Sequence, residues 1–279
     1  MTVRAAECFF RAVDGALIHF EIKGAGPDAR GILLFVHGLG EHFSKYDEWL
    51  VYAVGRGYHA AAHDQRGHGR TPGKRGDFAF EDLVSDLSRF VEVVTDRWPG
   101  LPVFVVAHSL GALVTLRWAA AGVPPSVRGA ALSSPPLQVS EAVSWWKQRL
   151  LLTLARTAPR LSLPRRSVVE KLTSDPERIA AWRSDPLRHR KITPRAMVGI
   201  GAAMEAAREA PLEVMLPLLV LVAPEDAVTD AEAAVAWAAE SGADVAVVEL
   251  PGARHEILND VDREAAYDRI CDWCDARTW

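Results

Sequence analysis

The sequence has few cysteines, no excess of charge of one sign and no long apolar run. Its three cysteines are Cys8, Cys271 and Cys274, an odd number that is too small for a disulfide framework and suits a reducing compartment. The 32 Lys plus Arg residues face 36 Asp plus Glu residues, so the basic excess of a nucleic-acid-binding protein is missing. No apolar run approaches the roughly 18 residues of a membrane span, and Arg4 and Glu7 lie where a signal peptide would be apolar. We therefore expect a cytoplasmic protein without a nucleic-acid partner.

Metal and redox chemistry also lack their usual patterns. Cys271 and Cys274 form a C-x-x-C, but they lie in a predicted C-terminal helix without two further zinc ligands nearby, so we expect them to pack in the core. The nine histidines are scattered along the sequence, without a Cys/His cluster. We expect neither a metal nor a cofactor.

Strand-like and helix-like segments alternate through most of the 279 residues. Residues 7–23 predict an antiparallel hairpin around a D-G turn at Asp14, and residues 83–94 have the apolar period of a helix. Continuous apolar runs of strand length occur at 31–36, 58–62, 103–107, 129–132, 218–223 and 245–250. This alternation predicts an α/β fold, a mostly parallel central sheet with helices on both faces.

The alternation stops between residues 138 and 211. Helical segments separated by prolines fill this stretch, which holds 14 Lys plus Arg against 7 Asp plus Glu. We interpret it as a basic helical cap (lid) inserted into an acidic core formed by residues 1–137 and 212–279. Oligomeric state is not indicated.

The sequence A-H-S-L-G at residues 107–111 is the clearest chemical signal. It follows an apolar run and precedes a helical segment, which is the context of a G-x-S-x-G nucleophile turn. Such a turn needs small residues two positions either side of the serine, and Ala107 and Gly111 meet that need. Ser109 is the candidate nucleophile; the alternative is a helix N-cap.

A serine nucleophile needs a base and an acid, both expected downstream after strand ends. Asp226 follows the run at 218–223, and His255 follows the run at 245–250. Glu225 is a competing acid, and Asp226 could instead cap the next helix. His189 is the one other histidine after the serine, and it lies in the cap.

The tetrahedral intermediate requires two backbone N–H donors, an oxyanion hole. Leu110 follows the nucleophile and supplies one. The sequence H-G-L-G at residues 37–40 follows the run at 31–36, and its glycines permit unusual dihedral angles around Leu39, the second donor. We expect the side chain of His37 to be structural.

These segments together resemble the monoacylglycerol lipase and lysophospholipase branch of the α/β-hydrolases. The resemblance spreads over nearly the whole chain and is carried by H-G-L-G-E-H at 37–42 with Tyr46, D-Q-R-G-H-G at 64–69, the turn at Ser109, S-D-P-L at 184–187, Asp226 and G-A-R-H-E at 252–256. It implies the α/β-hydrolase fold, the triad Ser109, Asp226 and His255, oxyanion donors Leu39 and Leu110, and a cap that forms an acyl tunnel.

The resemblance also suggests residues near the substrate. By analogy, Glu41 and His108 line the leaving-group pocket, and Lys45 stands where an arginine is common in the polar head-group region. Ala107 and Ala112 replace usual glycines around the serine. Asp64 and Arg66 are expected to form a structural ion pair.

An apolar stripe runs along the first helical segment of the cap. Ala142, Trp146, Leu150 and Leu154 recur at helical spacing, with basic residues beside them. One interpretation is that the stripe covers the active site, with Trp146 binding substrate. The other is transient contact with an anionic membrane surface, which would make the protein peripheral to the membrane.

The predicted function is cofactor-free hydrolysis of a lipophilic carboxylic ester with one acyl chain, of the monoacylglycerol or lysophospholipid type. A histidine base of ordinary pKa predicts activity rising between about pH 6 and 8. Short-chain esterase, thioesterase, carbon–carbon hydrolase and aminopeptidase activities use the same triad. A non-catalytic ligand-binding protein of the same fold is a further alternative.

Overall fold

A twisted sheet of eight strands forms the centre of the molecule. The computed structural model describes residues 8–138, 144–166, 169–209, 215–242 and 244–278. The strands are β1 (Cys8–Arg11), β2 (Leu17–Lys23), β3 (Gly31–Val36), β4 (Tyr58–His63), β5 (Val103–His108), β6 (Val127–Ser133), β9 (Leu218–Val222) and β10 (Val245–Glu249). Their order in the sheet is β1-β2-β4-β3-β5-β6-β9-β10, and the pairs from β4 to β10 are all parallel. This confirms the predicted mostly parallel sheet.

Helices cover both faces of this sheet. The core on one face contains buried side chains of α2 (Phe80–Arg97), α3 (Leu110–Ala120), α6 (Pro194–Glu209) and α7 (Ala231–Glu240). The core on the other face contains those of α1 (Asp47–Gly55) and α8 (Arg263–Asp275). Strands β3, β4, β5 and β9 are buried along their whole length, as their continuous apolar runs predicted.

Helices dominate the described residues between β6 and β9. They are α4 (Trp145–Thr157), α5 (Pro176–Ser184) and α6, and α6 packs against α2 and α3. The two-residue strands β7 (Leu163–Pro164) and β8 (Lys191–Ile192) also pair there, antiparallel. Such short strands carry no periodicity, so the sequence did not indicate them. Residues 139–143 and 210–214, with Ala142 and the predicted end of the cap, lie outside the described residues, and the domain boundaries stay a prediction.

Two local predictions agree with the structure. Strands β1 and β2 form the hairpin, in which the Ala16 N–H donates to Asp14 Oδ1; Glu7, where the hairpin was expected to begin, lies outside the described residues. Cys271 and Cys274 are free thiols buried in α8. No helix in the described part of the chain is long and apolar enough to cross a membrane.

Candidate active site

Ser109 lies at the turn between β5 and α3. Its backbone has φ 50° and ψ −116°, a left-handed conformation that a non-glycine residue adopts only when its surroundings enforce it. Its N–H donates to Ser133 O at 2.9 Å, at the end of the neighbouring strand. A Cβ on Gly111 would lie 2.3 Å from Val36 O, so only glycine lets α3 approach β3 this closely. The turn therefore holds the serine at the carboxyl edge of the sheet.

His255 and Asp226 complete a chain of hydrogen bonds from this serine. His255 Nε2 lies 3.0 Å from Ser109 Oγ, and His255 Nδ1 lies 2.7 Å from Asp226 Oδ2. Asp226 follows β9 and His255 follows β10, so three strand ends of one parallel sheet bring the residues together. This is the spacing that base-assisted attack by a serine requires.

Asp226 is a buried carboxylate with three further donors. Its Oδ1 accepts from the N–H groups of Val228 and Thr229, and its Oδ2 accepts from the Thr229 hydroxyl at 2.6 Å. Burial alone would raise the pKa of Asp226, but the bond from His255 and the other donors outweigh it and lower this pKa to about 2. The carboxylate is therefore ionised throughout the neutral range.

The competing interpretations of these two residues have no support in the structure. Glu225 Oε2 accepts from the Gly252 N–H, away from His255. The N-cap of α7 is Asp230, so Asp226 does not cap that helix. His189 lies on the cap and its Nδ1 contacts Lys191 O.

The loop after β3 lies opposite the nucleophile. Leu39 and Leu110 both line the pocket that contains Ser109, and the Leu110 N–H, as the first of α3, has no partner within the helix. Gly40 has φ 82°, and the Gly38 N–H donates to Glu41 Oε1 at 2.5 Å. The two residues that carry the predicted oxyanion donors thus line one cavity.

Cap residues fix this loop from above. The bonds that join them are Arg165 Nη2 to Leu39 O (3.0 Å), His189 N–H to Gly40 O (3.0 Å) and His42 Nε2 to Asp185 Oδ2 (2.7 Å). Gly40 has a positive φ, and a Cβ there would lie 2.6 Å from the backbone oxygen of His189, which explains the glycine. The position of the cap and the geometry of the oxyanion loop are therefore coupled.

A buried ionic cluster, formed by Glu41, Lys45, Tyr46 and Glu256, lies beside the triad. Lys45 Nζ donates to Glu41 Oε2 and to Glu256 Oε1. The Tyr46 hydroxyl lies 2.8 Å from Glu41 Oε1 and 2.7 Å from Glu256 Oε2. Burial opposes the charge on Glu41, but Lys45 and its other polar neighbours hold the pKa of Glu41 well below its usual range.

His108 lies between this cluster and the triad. Its ring centroid is 4.8 Å from that of His255, and its Nε2 is 3.7 Å from Glu256 Oε1. Burial lowers the pKa of His108 to about 4, so this imidazole is neutral at pH 7. Glu41, His108 and Glu256 present ligand atoms within 4.8 Å of one another, as a metal site would, but the Lys45 ammonium already binds both carboxylates.

A pocket of about 160 Å³ opens beside Ser109. Glu41 and His108 line it, as the sequence predicted. Two other predicted contacts do not: Lys45 is enclosed by the ionic cluster and the Trp182 ring, and Trp146 is 53% exposed on the outside of α4. Lining residues that sequence analysis missed are Pro136, Arg165, Leu172, Arg188, Ile200, Met204, Val228 and Thr229.

The loop after β4 is structural, but its predicted ion pair is wrong. Asp64 bonds His19 Nδ1 at 2.9 Å and nearby backbone N–H groups, because it turns into the core beneath β2. Arg66 turns outward and pairs with Asp14 and Asp86. His19 lies 45 residues from Asp64, and no local pattern pointed to it.

The expected structural role of His37 agrees with its contacts. Its ring is fully buried, its Nε2 accepts from the Gln65 N–H at 2.9 Å, and its Nδ1 lies 2.8 Å from Gly38 O. These bonds join the loop after β3 to the loop after β4.

Comparison with known families identifies the chain. Residues 27–262 match the Hydrolase_4 family, described as "Serine aminopeptidase, S33". The chain belongs to this family.

Relatives with assigned names are similar along most of their length. The chain is 27% identical over 274 residues to a monoacylglycerol lipase of Mycolicibacterium smegmatis, covering 96% of both chains. It is 29% identical over 241 residues to the phospholipase YtpA of Bacillus subtilis, covering 85% of this chain and 92% of that one.

A solved structure of a monoacylglycerol lipase is also similar to this chain. The crystal structure of Paleococcus ferrophilus monoacylglycerol lipase superposes with a TM-score of 0.85 at 30% identity, covering 93% of this chain and 99% of that one. These comparisons confirm three predictions. They are the resemblance to the monoacylglycerol lipase branch, the α/β-hydrolase fold and the activity of a serine ester hydrolase.

Proposed function

We propose that the chain hydrolyses carboxylic esters with a single acyl chain through an acyl-enzyme on Ser109. The observation that carries the proposal is the hydrogen-bonded series Ser109, His255, Asp226, with distances of 3.0 and 2.7 Å. Ser109 Oγ attacks the carbonyl carbon while His255 Nε2 takes its proton. His255 then protonates the leaving alcohol, and water releases the acid by the same route. Asp226 orients the imidazole and stabilises its charged form.

The oxyanion is held by the N–H groups of Leu39 and Leu110. Each such donor contributes on the order of 3 kcal/mol to transition-state stabilisation. Glu41 holds the Gly38 N–H on one side of this donor and Arg165 holds the Leu39 carbonyl on the other, so little reorganisation of the loop is needed as charge develops. A preorganised donor is worth more than one that must first turn towards the substrate.

The pocket has one apolar wall and one polar wall, as a site for an amphiphilic ester would. Ile200 and Met204 of α6 pack against the core on one face of the sheet. Tyr46, Glu41 and Glu256 belong to the ionic cluster on the other face. An acyl chain fits the apolar wall, and a polar leaving group fits the other. The names of the relatives, monoacylglycerol lipase and phospholipase, support this substrate class.

An aminopeptidase reaction, which the family description suggests, is less well supported. A free α-ammonium group needs an available carboxylate in the pocket. Glu41 and Glu256 line it, but Lys45 already binds both. Arg165 and Arg188 add positive charge to the same pocket, which disfavours a cationic substrate.

A matched panel tests the proposal. Monoacylglycerols of graded chain length and aminoacyl anilides are compared by kcat/KM, with Ser109→Ala as the control for background. We expect cleavage of the esters, with an optimum chain length that measures the apolar wall. Cleavage of the amides alone would replace the proposal with the aminopeptidase reaction.

The outside of α4 is the candidate membrane contact. Trp145 is 70% exposed, and Trp146, Leu150 and Leu152 are each about half exposed. Lys147 and Arg149 lie among them. We propose transient contact with anionic membranes, and therefore a cytoplasmic protein that is peripheral to the membrane. Three cysteines, too few for a disulfide framework, suit that compartment.

Vesicle sedimentation tests this contact. We expect co-sedimentation with anionic vesicles at low salt, less at high salt, and loss in the double variant Trp145→Ser, Trp146→Ser. Equal recovery of wild type and double variant would contradict the contact.

A further inference from the structure

Two arginines line the active-site pocket without an acidic partner. Arg165 and Arg188 share it with Ser109 and His255. Within the described ranges, neither guanidinium lies within salt-bridge distance of a carboxylate. Arg66, another partly buried arginine, is paired with Asp86, whereas Arg75 and Arg254 donate to backbone carbonyls. Unpaired cations in a pocket are costly to bury, so these two suggest a ligand of opposite charge.

Most of their donors are unused. Arg165 donates from Nη2 to Leu39 O, and Arg188 donates from Nη1 to Trp182 O at 2.9 Å. The Nε atoms of both are buried and have no hydrogen-bond partner among the residues that the structure describes. A guanidinium carries five N–H donors, so each of these side chains retains a fork that fits oxygens of a phosphate.

The two charges are close enough to repel each other. Burial lowers the pKa of Arg165, and the Arg188 charge lowers it further. Glu41 acts in the opposite direction on Arg165, but its carboxylate is bound by Lys45. The Arg188 charge contributes to the lowered pKa of Asp185, but the carboxylate oxygens of Asp185 already bond His42 and the Leu187 N–H.

The carboxylates near these two arginines are bound by other groups. Lys45 donates to Glu41 and Glu256, Asp185 accepts from the Leu187 N–H and pairs with His42, and the neutral His108 adds no charge. Trp182 joins the set, since its ring lies under Lys45 at 3.8 Å and under Arg188 at 5.5 Å. An anion held here would lie beside the oxyanion loop, on the wall opposite Ile200 and Met204.

We infer that Arg165 and Arg188 form a subsite for an anionic phosphate head group, so that the preferred ester is a monoacyl phospholipid and not a neutral monoacylglycerol. This inference rests on the proposed ester hydrolysis and narrows its substrate class. The acyl chain lies along the apolar wall, the ester carbonyl at Ser109, and the phosphate oxygens at the two guanidinium groups. No residue in the sequence analysis indicated this subsite.

The test compares two esters that differ only in the phosphate. 1-Acylglycerol and 1-acylglycerol 3-phosphate with the same acyl chain are assayed with wild type, with Arg188→Gln and with Arg190→Gln. Arg190 is exposed, and it bonds Arg165 through its backbone carbonyl, which the substitution retains. The ratio of kcat/KM for the two esters is the readout, because a loss of folded protein lowers both values equally.

We expect wild type and Arg190→Gln to prefer the phosphate ester and Arg188→Gln to lose about 10- to 100-fold of that ratio, the worth of a charge-assisted bond. A second measurement uses wild type alone, in which glycerol 3-phosphate should inhibit hydrolysis and glycerol should not.

Three results would overturn the inference. They are a wild-type preference for the neutral ester, an unchanged ratio in Arg188→Gln, and inhibition by inorganic phosphate as strong as that by glycerol 3-phosphate, which would indicate a free-anion site. In these cases ester hydrolysis itself still stands. If neither ester is cleaved, the inference and the proposed function both fail.

Discussion

The triad and the ionic cluster are neighbouring sets of buried charged residues with different organisation. His255 belongs to the first and Glu256 to the second, although they are adjacent in sequence. In the cluster, Lys45 and Tyr46 bind both carboxylates, so its charges are paired with one another although Glu41 and Glu256 line the pocket. In the triad, the series of bonds ends on a serine hydroxyl that faces the same pocket. Burial of charge therefore indicates chemistry only where the network ends on a nucleophile that substrate can reach.

The triad and the ionic cluster should differ most in how a substitution changes the catalytic rate. Asp226→Asn removes the charge that stabilises protonated His255, so we expect kcat to fall on the order of 10⁴-fold. Steady-state kinetics measure this. Glu225→Gln is the matched control, since Glu225 accepts from the Gly252 N–H and lies outside the triad, and it should keep wild-type kcat. A loss of similar size in the control would contradict the distinction.

The cluster should respond in stability instead. Lys45→Met leaves Glu41 and Glu256 as buried carboxylates without their shared cation, which should lower the free energy of unfolding by about 3 to 5 kcal/mol. Urea denaturation measures the change. Lys147→Met on the exposed surface of α4 should shift it by less than about 0.5 kcal/mol. A Lys45 variant as stable as the Lys147 variant would mean that the cluster is not closed by this residue.

Acid should affect His108, which lies beside the ionic cluster, and Asp226 of the triad in different pH ranges. The pKa of His108 is lowered to about 4, so its contribution to stability is complete above about pH 6.5 and is lost as the pH falls towards 4. The pKa of Asp226 is lowered to about 2, so its contribution is lost as the pH falls from about 4 towards 2. Each of these two pKa shifts contributes roughly 2 to 3 kcal/mol to the free energy of unfolding at neutral pH.

Unfolding free energies measured between pH 7 and 3 check this order. His108→Gln should make the profile less steep between about pH 6.5 and 4 without flattening it, because burial also lowers the pKa values of His68 and His189, and it should leave the fall below pH 4 unchanged. An unchanged slope above pH 4 in this variant would show that His108 takes up its proton without cost.

The sequence indicated the triad because each member follows a buried strand. Continuous apolar runs located β5, β9 and β10, and the carboxyl ends of parallel strands meet at one edge of a sheet. The positions of the strand ends were therefore sufficient to predict that Ser109, Asp226 and His255 lie close together. The oxyanion loop followed from β3 for the same reason.

The cap could not be predicted at this level. Its short segments are separated by prolines, and contacts between remote residues, such as Arg165 with Leu39, decide how they pack. Lys45 and Trp146 were predicted to bind substrate, but one is enclosed and the other faces outward. A side chain's direction depends on the packing of its whole element, which sequence spacing alone does not determine.

Intact-mass analysis after fluorophosphonate treatment tests the role of Ser109 most directly. Ser134 is the matched control, because it also has a positive φ at the end of the neighbouring strand, but its hydroxyl donates to His255 O and is not paired with an imidazole nitrogen. We expect one adduct on wild type and on Ser134→Ala, and none on Ser109→Ala. An adduct that persists in folded Ser109→Ala, or its absence from folded wild type, would contradict the assignment of Ser109 as the activated nucleophile.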